Sequence, residues 1–232
     1  MNAHIPPFCR LRDEPAPLQL ADARLVIASF DATQLAAEDF QRCAIEAVPG
    51  VAKRQGEYLA GRLCAREALR QLGDQPQVPG RDADGVPLWP AGRVGSITHG
   101  AGQAAAIVGN RRQWHGLGLD LEKCLAAERA ARLAHGILTA AELQRAAGLD
   151  AEAFARHVTL TFSLKESLFK ALYPLVLKRF YFHDAELLDH HAGQARLRLL
   201  LDLHADWPAG RELQGCFAEF DGYLLSLVAI PA

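Results

Sequence analysis

The second half of the sequence constrains the fold most strongly, because one long helix-forming segment precedes several segments in which apolar and polar residues alternate. Residues 154–172 predict a helix that ends before Pro174. The alternating segments, each predicted to be a strand, are residues 180–188, 195–201, 213–220 and 223–230. Asp221 and Gly222 predict a hairpin turn between the last two strands. Helices and strands mix here without a regular βαβ alternation, which predicts the α+β class.

The first half of the sequence predicts a long helix and a hairpin. Residues 51–72 are rich in strong helix formers and are followed by Gly73, which is typical of a helix end. Residues 94–99 and 103–108 predict two strands joined by a glycine-bearing turn. Further expectations are an irregular lead-in at residues 1–20, a strand at 24–30, a surface loop at 75–95, a strand at 117–122 and a short helix at 126–134.

Composition excludes several classes of partner and location. The net charge of −2 provides no global field for nucleic acid or an anionic membrane, so we expect neither as a partner. The five cysteines are odd in number and never spaced C-x-x-C, which argues against a disulfide framework and a zinc site. No signal-like N-terminus and no apolar run of membrane-spanning length are seen. We therefore expect a soluble protein of the reducing cytoplasm.

The strand predicted at residues 117–122 carries two acids, Asp120 and Glu122, which point to the same side roughly 7 Å apart along the chain. Carboxylates this close repel one another unless a cation lies between them. Gly116 and Gly118 flank an otherwise apolar strand, and unpaired carboxylates are costly in such surroundings. The alternative is an exposed strand end that carries two solvated acids.

A second charged motif follows about forty residues later, on the predicted long helix. Glu166 and Lys170 are four residues apart and therefore lie on one helical face. A third carboxylate with lysines nearby points to a hard metal ion bound to phosphate. The alternative is structural, since Ser163 and Glu166 have capping-box spacing and Glu166 can pair with Lys170. We expect the helix to begin well before Ser163, which disfavours the cap.

Five motifs occur in the order and spacing of the 4'-phosphopantetheinyl transferases, which the sequence resembles over residues 51–230. They are the basic run at 52–62, the loop at 85–90, the turn at 95–99, the acidic strand, and the Lys-Glu-Ser helix. More narrowly, the sequence resembles the surfactin- and enterobactin-synthetase class, including the broad-range enzyme of pseudomonads. The resemblance implies two similar α/β halves related by a pseudo-twofold axis, with the active site in the cleft between them. The implied halves are residues 1–115, on the coenzyme A nucleotide side, and 116–232, with the metal site and carrier docking.

The activity that the resemblance implies is a transfer of the 4'-phosphopantetheine arm of coenzyme A to a serine of an apo carrier protein. Mg²⁺, with Mn²⁺ as an alternative, would support the reaction, and adenosine 3',5'-bisphosphate would be released. The implied partners are acyl carrier proteins and peptidyl or aryl carrier domains, as in fatty acid and siderophore synthesis, and a monomer is expected. Two alternatives stay open: a metal-dependent nucleotide phosphohydrolase, and a non-catalytic module that binds coenzyme A or a carrier.

The resemblance also implies roles for the charged residues of the second half. The metal ligands would be Asp120, Glu122 and Glu166, with Asp120, Glu166 and Lys170 as the catalytic group. Glu166 would act as the base, directly or through a metal-bound water. Lys165 and Lys170 would contact phosphate. Glu142 aligns with an acid near the metal; alternatively it is a first-turn helix glutamate paired with Thr139 in a capping box.

Coenzyme A and carrier contacts follow from the same resemblance. Arg54, Arg62 and His99 would hold the 3'-phosphate, with the hydroxyl of Thr98 beside them. The loop at Gly85 and Pro87 would contact the nucleotide, although Val86 lacks the positive charge that some relatives carry there. A mixed apolar and basic segment, residues 125–138, would dock the acidic helix of the carrier, with some of its apolar side chains in the core. Its docking residues would be Leu125, Arg129 and Leu133.

Overall fold

The computed structural model describes residues 4–75 and 77–232, and these divide into two units. The first unit runs to His115 and also contains Pro231–Ala232, and the second is Gly116–Ile230. Each unit combines a β-sheet with a long helix packed against it. The predicted α+β class is confirmed. The expected division of labour between the two halves stays a prediction.

The sheet of the first unit has the strand order β1-β2-β6-β5, and all its pairs are antiparallel. These strands are β1 (Cys9–Leu11), β2 (Ala23–Phe30), β5 (Arg93–Gly100) and β6 (Gln103–Asn110). The remaining elements are helices α1 (Asp39–Arg42) and α2 (Ala52–Gln71) and a small antiparallel ladder of β3 (Gly80–Arg81) with β4 (Pro87–Leu88). Helix α2 packs on β2, β5 and β6 through buried side chains such as Leu59 and Leu63.

The predicted helix at 51–72, the strand at 24–30 and the hairpin of β5 and β6 are confirmed. The lead-in was predicted to be irregular, and this is wrong at Cys9–Leu11. Its strand β1 pairs with β2, and Phe8 and Cys9 are buried in the core. The loop at 75–95 likewise contains the β3–β4 ladder, and its Pro76 lies outside the described residues. Strand β1 forms by pairing with β2, whereas β3 and β4 form a short local hairpin across the turn at Gly85.

Arg66 of α2 is held by backbone carbonyls from the region that precedes the helix. Its side chain is buried, and its guanidinium donates to the carbonyls of Cys43 at 3.0 Å and His4 at 2.6 Å. Arg70, one turn further on, is exposed and pairs with Glu67. Arg66 therefore fastens the N-terminal lead-in to α2, because buried guanidinium groups need carbonyl or carboxylate partners.

The sheet of the second unit has the strand order β7-β11-β10-β9-β8. Its strands are β7 (Trp114–Lys123), β8 (Ala185–His191), β9 (Gln194–Leu199), β10 (Glu212–Phe220) and β11 (Tyr223–Pro231). Its helices are α3 (Ala127–Ile137), α4 (Ala140–Ala146) and α5 (Ala151–Val176), and a 3-10 turn spans Phe182–Asp184. Asp221 and Gly222 both have positive φ and form the predicted hairpin turn. The predicted strand at 180–188 begins only at Ala185.

Helix α5 is longer at both ends than predicted. It starts at Ala151 behind an Asp150 cap, so Ser163 lies inside the helix and does not cap it. It also continues through Pro174 to Val176, and Leu177 ends it in the left-handed conformation. Pro174 lies in the last turn, where a missing N–H removes only one helical hydrogen bond. No helix within residues 4–75 and 77–232 has the length and apolar character needed to cross a membrane.

Two glycines bring α5 onto the acidic strand. A Cβ atom added to Gly118 would lie 1.8 Å from the Ser167 carbonyl oxygen, and one added to Gly116 would lie 2.4 Å from that of Ala171. Any side chain at these positions would therefore push the helix away from β7. Since alternate residues of a strand share a face, Asp120 and Glu122 face α5 together with these glycines.

Candidate active site

The acidic strand and helix α5 bring the predicted C-terminal site residues together. Asp120 is buried and Glu122 is partly buried on β7. Lys170 Nζ donates to Asp120 Oδ1 at 2.7 Å and to the Leu119 carbonyl at 3.2 Å. Glu166 lies one helical turn before Lys170 and is partly buried. Three acids and one lysine thus share a small region of the second unit.

Electrostatic coupling shows that these groups act on one another. Burial raises the pKa of Glu122 to about 7, and the Asp120 carboxylate adds to the increase. Burial also raises the pKa of Glu166, while the Lys170 ammonium opposes the increase and Asp120 reinforces it. The carboxylates therefore ionise at a cost that one lysine offsets only in part. A bound cation would relieve that repulsion.

The donor set fits a hard divalent cation, because carboxylate oxygens are the ligands that Mg²⁺ and Mn²⁺ prefer. As the side chains stand, no three His, Cys, Asp or Glu residues within residues 4–75 and 77–232 are grouped closely enough to hold a metal ion. The Lys170 ammonium lies against Asp120 Oδ1, where it would compete with a cation. The chemistry of the site therefore fits the predicted metal, while the ligand geometry stays a prediction.

The pKa of Glu122 makes a testable statement about stability. The pKa of Glu122 in the folded protein, about 7, exceeds its ordinary value of 4.5, so the folded state holds the proton more tightly than the unfolded state. The free energy of unfolding is therefore not reduced by Glu122 below pH 4.5, and it falls as the pH rises from there through about 7. We expect Glu122→Gln to gain about 1 kcal/mol over the parent between pH 4.5 and pH 7.5, after allowance for partial exposure. Urea unfolding in a metal chelator would measure it. A difference that is flat or falls with pH would contradict the assigned shift.

A cavity of about 170 Å³ opens beside Glu166 in the second unit. Lys165 and Arg179 lie on its wall. Aromatic side chains line much of the rest, namely Phe169, Phe180, Tyr181 and Phe182. Sequence reasoning missed this cavity, although the aromatic run at 180–182 was a signal. A neutral, partly apolar segment of a ligand would fit in this cavity, next to Glu166.

The Lys165 ammonium is bound by groups other than Asp120, Glu122 and Glu166, and its predicted contact with phosphate stays a prediction. Its side chain is buried, and Nζ donates to Glu142 Oε2, Ile137 O and Phe182 O at 2.7, 2.9 and 2.8 Å. An ammonium has three N–H donors, and all are used. Glu142 is also fully buried, and its hydrogen-bond partners do not include Asp120 or Glu122. With Thr139 it forms the predicted capping box.

The first unit holds a basic cluster around the ring of Tyr58. The Arg62 guanidinium lies 4.9 Å from the ring centroid, and that of Arg81 lies 5.8 Å from it. Arg62 is buried, and its Nε has no hydrogen-bond partner among the described residues. Arg54 occupies the same helical stripe two turns earlier and is exposed. Guanidinium groups gathered in this way suit a phosphate.

Arg81 was missed by sequence reasoning, although it lies just before the predicted nucleotide loop. Strand β3 pairs Arg81 with Pro87 of β4, and Gly85 has the positive φ of the intervening turn. Arg81 can therefore supply the positive charge that Val86 lacks. The ladder that places it was invisible in the local pattern of residues 75–95.

His99 and Thr98 point to opposite faces of the first sheet. A Cβ atom added to Gly61 of α2 would lie 3.8 Å from His99 Cδ2, so the imidazole is on the α2 face. The imidazole is partly exposed, and its Nδ1 lies 3.8 Å from Glu57 Oε2. Thr98 is buried, as strand alternation requires. Of the two side chains, only that of His99 lies on the α2 face, and the role of Thr98 beside the phosphate stays a prediction.

The predicted docking segment presents some of its residues to solvent. Arg129 and Leu133 are exposed and lie one turn apart on α3. Leu125 is only partly buried and packs against the small core beneath α3, while Ile137 and Leu138 belong to that core. An exposed leucine beside an arginine is a composition that suits an acidic, partly apolar partner.

Comparison with known proteins agrees with both units. A model of the 4'-phosphopantetheinyl transferase N-terminal domain matches residues 45–109, and one of the 4'-phosphopantetheinyl transferase superfamily matches residues 116–228. The 4'-phosphopantetheinyl transferase Svp of Streptomyces mobaraensis is 38% identical over 78% of this chain and 74% of its own length. The chain belongs to the 4'-phosphopantetheinyl transferase family.

Other relatives are matched over less of their length. Enterobactin synthase component D of Salmonella typhi is 38% identical over 67% of this chain and 64% of its own. The 4'-phosphopantetheinyl transferase Npt of Nocardia iowensis is 35% identical over 59% of this chain and 60% of its own. Among solved structures, a holo-(acyl-carrier-protein) synthase from Bacillus anthracis in complex with coenzyme A (3',5'-ADP) is 17% identical. It aligns with a TM-score of 0.35 over 52% of this chain and 98% of that one.

Proposed function

We propose that this protein transfers the 4'-phosphopantetheine arm of coenzyme A to a serine hydroxyl of an apo carrier protein and releases adenosine 3',5'-bisphosphate. The observation that carries the proposal is the group of Asp120, Glu122, Glu166 and Lys170, coupled electrostatically in a member of this family. Acyl, peptidyl and aryl carrier proteins are the proposed acceptors.

The C-terminal unit would supply the reacting groups. Asp120, Glu122 and Glu166 would hold Mg²⁺ or Mn²⁺, which when bound would offset the charge on the pyrophosphate of coenzyme A. Lys170 would add a positive charge beside the leaving phosphate. Glu166 would accept the serine proton, because its raised pKa makes it a stronger base than an ordinary carboxylate. The cavity beside Glu166 would receive part of the pantetheine arm.

The N-terminal unit would hold the nucleotide end of coenzyme A. Arg62 and Arg81 would grip the 3'-phosphate through their guanidinium groups, with His99 on the same face of the sheet. Arg54 would add long-range attraction from its exposed position. Gly85 and Pro87 would contact the nucleotide through the backbone of their turn.

The test is an incubation of the purified protein with coenzyme A, Mg²⁺ and an apo carrier protein, followed by intact-mass spectrometry of the carrier. The carrier is expected to gain the mass of one phosphopantetheine group, and a carrier without its acceptor serine should gain none. Cleavage of coenzyme A without any acceptor would instead indicate a phosphohydrolase. Binding of coenzyme A with no change in carrier mass would indicate a binding module.

The docking helix offers a separate prediction. Arg129→Glu is expected to raise the Michaelis constant for the carrier severalfold, because an exposed charge steers encounter with an acidic partner. The effect should shrink as salt is added, and coenzyme A affinity should not change. Arg112→Glu, an equal charge change at an exposed site of the other unit, is the control. Unaltered carrier dependence of Arg129→Glu at low salt would show that α3 does not meet the carrier.

A further inference from the structure

Lys165 and Glu142 form an ion pair in the interior of the C-terminal unit, with side chains that are 2% and 0% exposed. Lys165 Nζ donates to Glu142 Oε2 at 2.7 Å and to the carbonyls of Ile137, at the end of α3, and Phe182, in the 3-10 turn. The lysine belongs to α5, so one ammonium joins this helix to three other segments. The next residue of α5 is Glu166, the proposed base, so the ion pair lies beside the proposed site.

Glu142 extends the same cluster to strand β8 and also closes the start of its own helix, α4. Its Oε1 accepts from the Leu187 N–H of β8 at 2.6 Å, and its Oε2 accepts from the Thr139 N–H at the start of α4 at 2.6 Å. A buried pair in which every donor and acceptor is used fixes its elements in one arrangement. We call Lys165 and Glu142 the buried pair.

Helix α5 has a second, independent attachment on its opposite side. Ser163 and Ser167 hydrogen-bond to Ser226 Oγ of β11 at 2.7 and 2.8 Å. Leu164 and Leu168 are fully buried in the core beneath the sheet. The sheet therefore holds α5 and Glu166 whether or not the buried pair is present.

Within the described part of the chain, no hydrogen bond joins helix α3 to the sheet, and the helix packs on α5 and the 3-10 turn. Its final turn is held by Lys165 on the carbonyl of Ile137 and by His183, whose Nε2 lies 3.1 Å from the carbonyl oxygens of both His135 and Leu138. A small apolar core that includes Ala130 and Val158 supports the rest of the helix. The buried pair therefore holds the final turn of α3, while apolar packing on α5 holds the rest of the helix.

We propose that Lys165 and Glu142 are positioning residues that hold the proposed docking helix α3 at a set distance from Glu166. This inference rests on the proposed function. A carrier seated on Arg129 and Leu133 must bring its serine hydroxyl within hydrogen-bond reach of the base, and an error of about 1 Å can cost about 10²-fold in rate. The pair would thus act on the acceptor serine through α3, although Lys165 also lines the cavity proposed for the pantetheine arm.

The decisive variant is the double substitution Lys165→Met/Glu142→Gln. Both charges are removed together, because a single substitution would leave one buried charge unpaired. We expect kcat with the carrier to fall by about 10²-fold, normalised to the fraction of protein that binds coenzyme A in titration calorimetry. Because Lys165 also lines the cavity proposed for the pantetheine arm, the rate is compared at saturating coenzyme A. A loss of kcat that persists there separates a displaced α3 from weakened binding of coenzyme A.

The matched control is Arg145→Met/Glu186→Gln. This pair also joins α4 to β8, at 2.8 Å, but it does not contact α3. It should leave normalised transfer unchanged. Lys165→Arg, which keeps a charge and several N–H donors, should recover part of the activity that the double variant loses.

Amide hydrogen exchange gives a readout that is independent of transfer. In the double variant, the amides of Ala127–Ile137 should exchange faster, while those around Glu166 should not. Wild-type normalised kcat together with wild-type exchange in α3 would overturn the inference. If the double variant does not fold, Lys165→Arg must show the same two changes at smaller size, and its failure to do so would overturn the inference as well. A parent protein without transfer activity would refute the proposed function instead, and exchange in α3 would still report on the buried pair.

Discussion

Glu166→Gln is expected to lower the rate of phosphopantetheine transfer by about 10³-fold, the range that removal of a general base produces. The amide has the shape of the carboxylate but cannot accept the serine proton, and it also weakens one proposed metal ligand. Rapid-quench single-turnover measurement, with intact-mass detection of the carrier, would give the rate. Coenzyme A affinity should fall much less, because the proposed nucleotide contacts lie in the N-terminal unit.

Glu152→Gln is the matched control, since Glu152 is an exposed glutamate in the first turn of the same helix. Asp120→Ala and Glu122→Ala should reduce transfer by a comparable factor while the protein stays folded, because like charges held together cost stability. Excess Mg²⁺ separates the two roles of Glu166. Near-parental rates for Glu166→Gln at saturating Mg²⁺ would refute its assignment as the base.

The second large effect concerns the 3'-phosphate of coenzyme A. His99→Ala and Arg62→Met should each weaken coenzyme A binding by about tenfold or more, because each removes a charge-assisted contact with the phosphate. Dephospho-coenzyme A lacks that group, so it should bind the parent protein more weakly and lose little further in either variant. Titration calorimetry of the four combinations for each residue forms a double-mutant cycle.

His204→Ala, which alters an exposed histidine of the other unit, controls for a general change in charge. The same cycle with Arg81→Ala would test the contact that only the β3–β4 ladder revealed. Additive losses, equal for coenzyme A and its dephospho form, would place the substituted residue away from the 3'-phosphate.

Much of the fold was readable from local pattern. The helix at α2, the hairpin of β5 and β6, and the turn at Asp221 and Gly222 all follow from propensity and turn chemistry. The strand β1 and the ladder of β3 with β4 were missed, because short segments become strands only when a partner strand lies beside them. The burial of Arg66 depends on long-range contacts of the same kind, since its carbonyl partners come from remote residues.

The sequence by itself determined which charged side chains can share a face. Asp120 and Glu122 lie on one side of β7 because successive side chains of a strand point to opposite faces. Glu166 and Lys170 lie on one side of α5 because side chains four residues apart in a helix point in nearly the same direction. These periodicities are local, so they need no knowledge of the rest of the molecule.

Only the tertiary structure decided which lysine serves the acids. Lys165 and Lys170 are five positions apart, roughly 140° around a helix, so they cannot share a face. Packing of α5 on Gly116 and Gly118 turns Lys170 toward Asp120, and the same packing buries Lys165 against Glu142. Which side of a helix faces a given strand depends on close contact between distant residues, and local sequence carries no record of that contact.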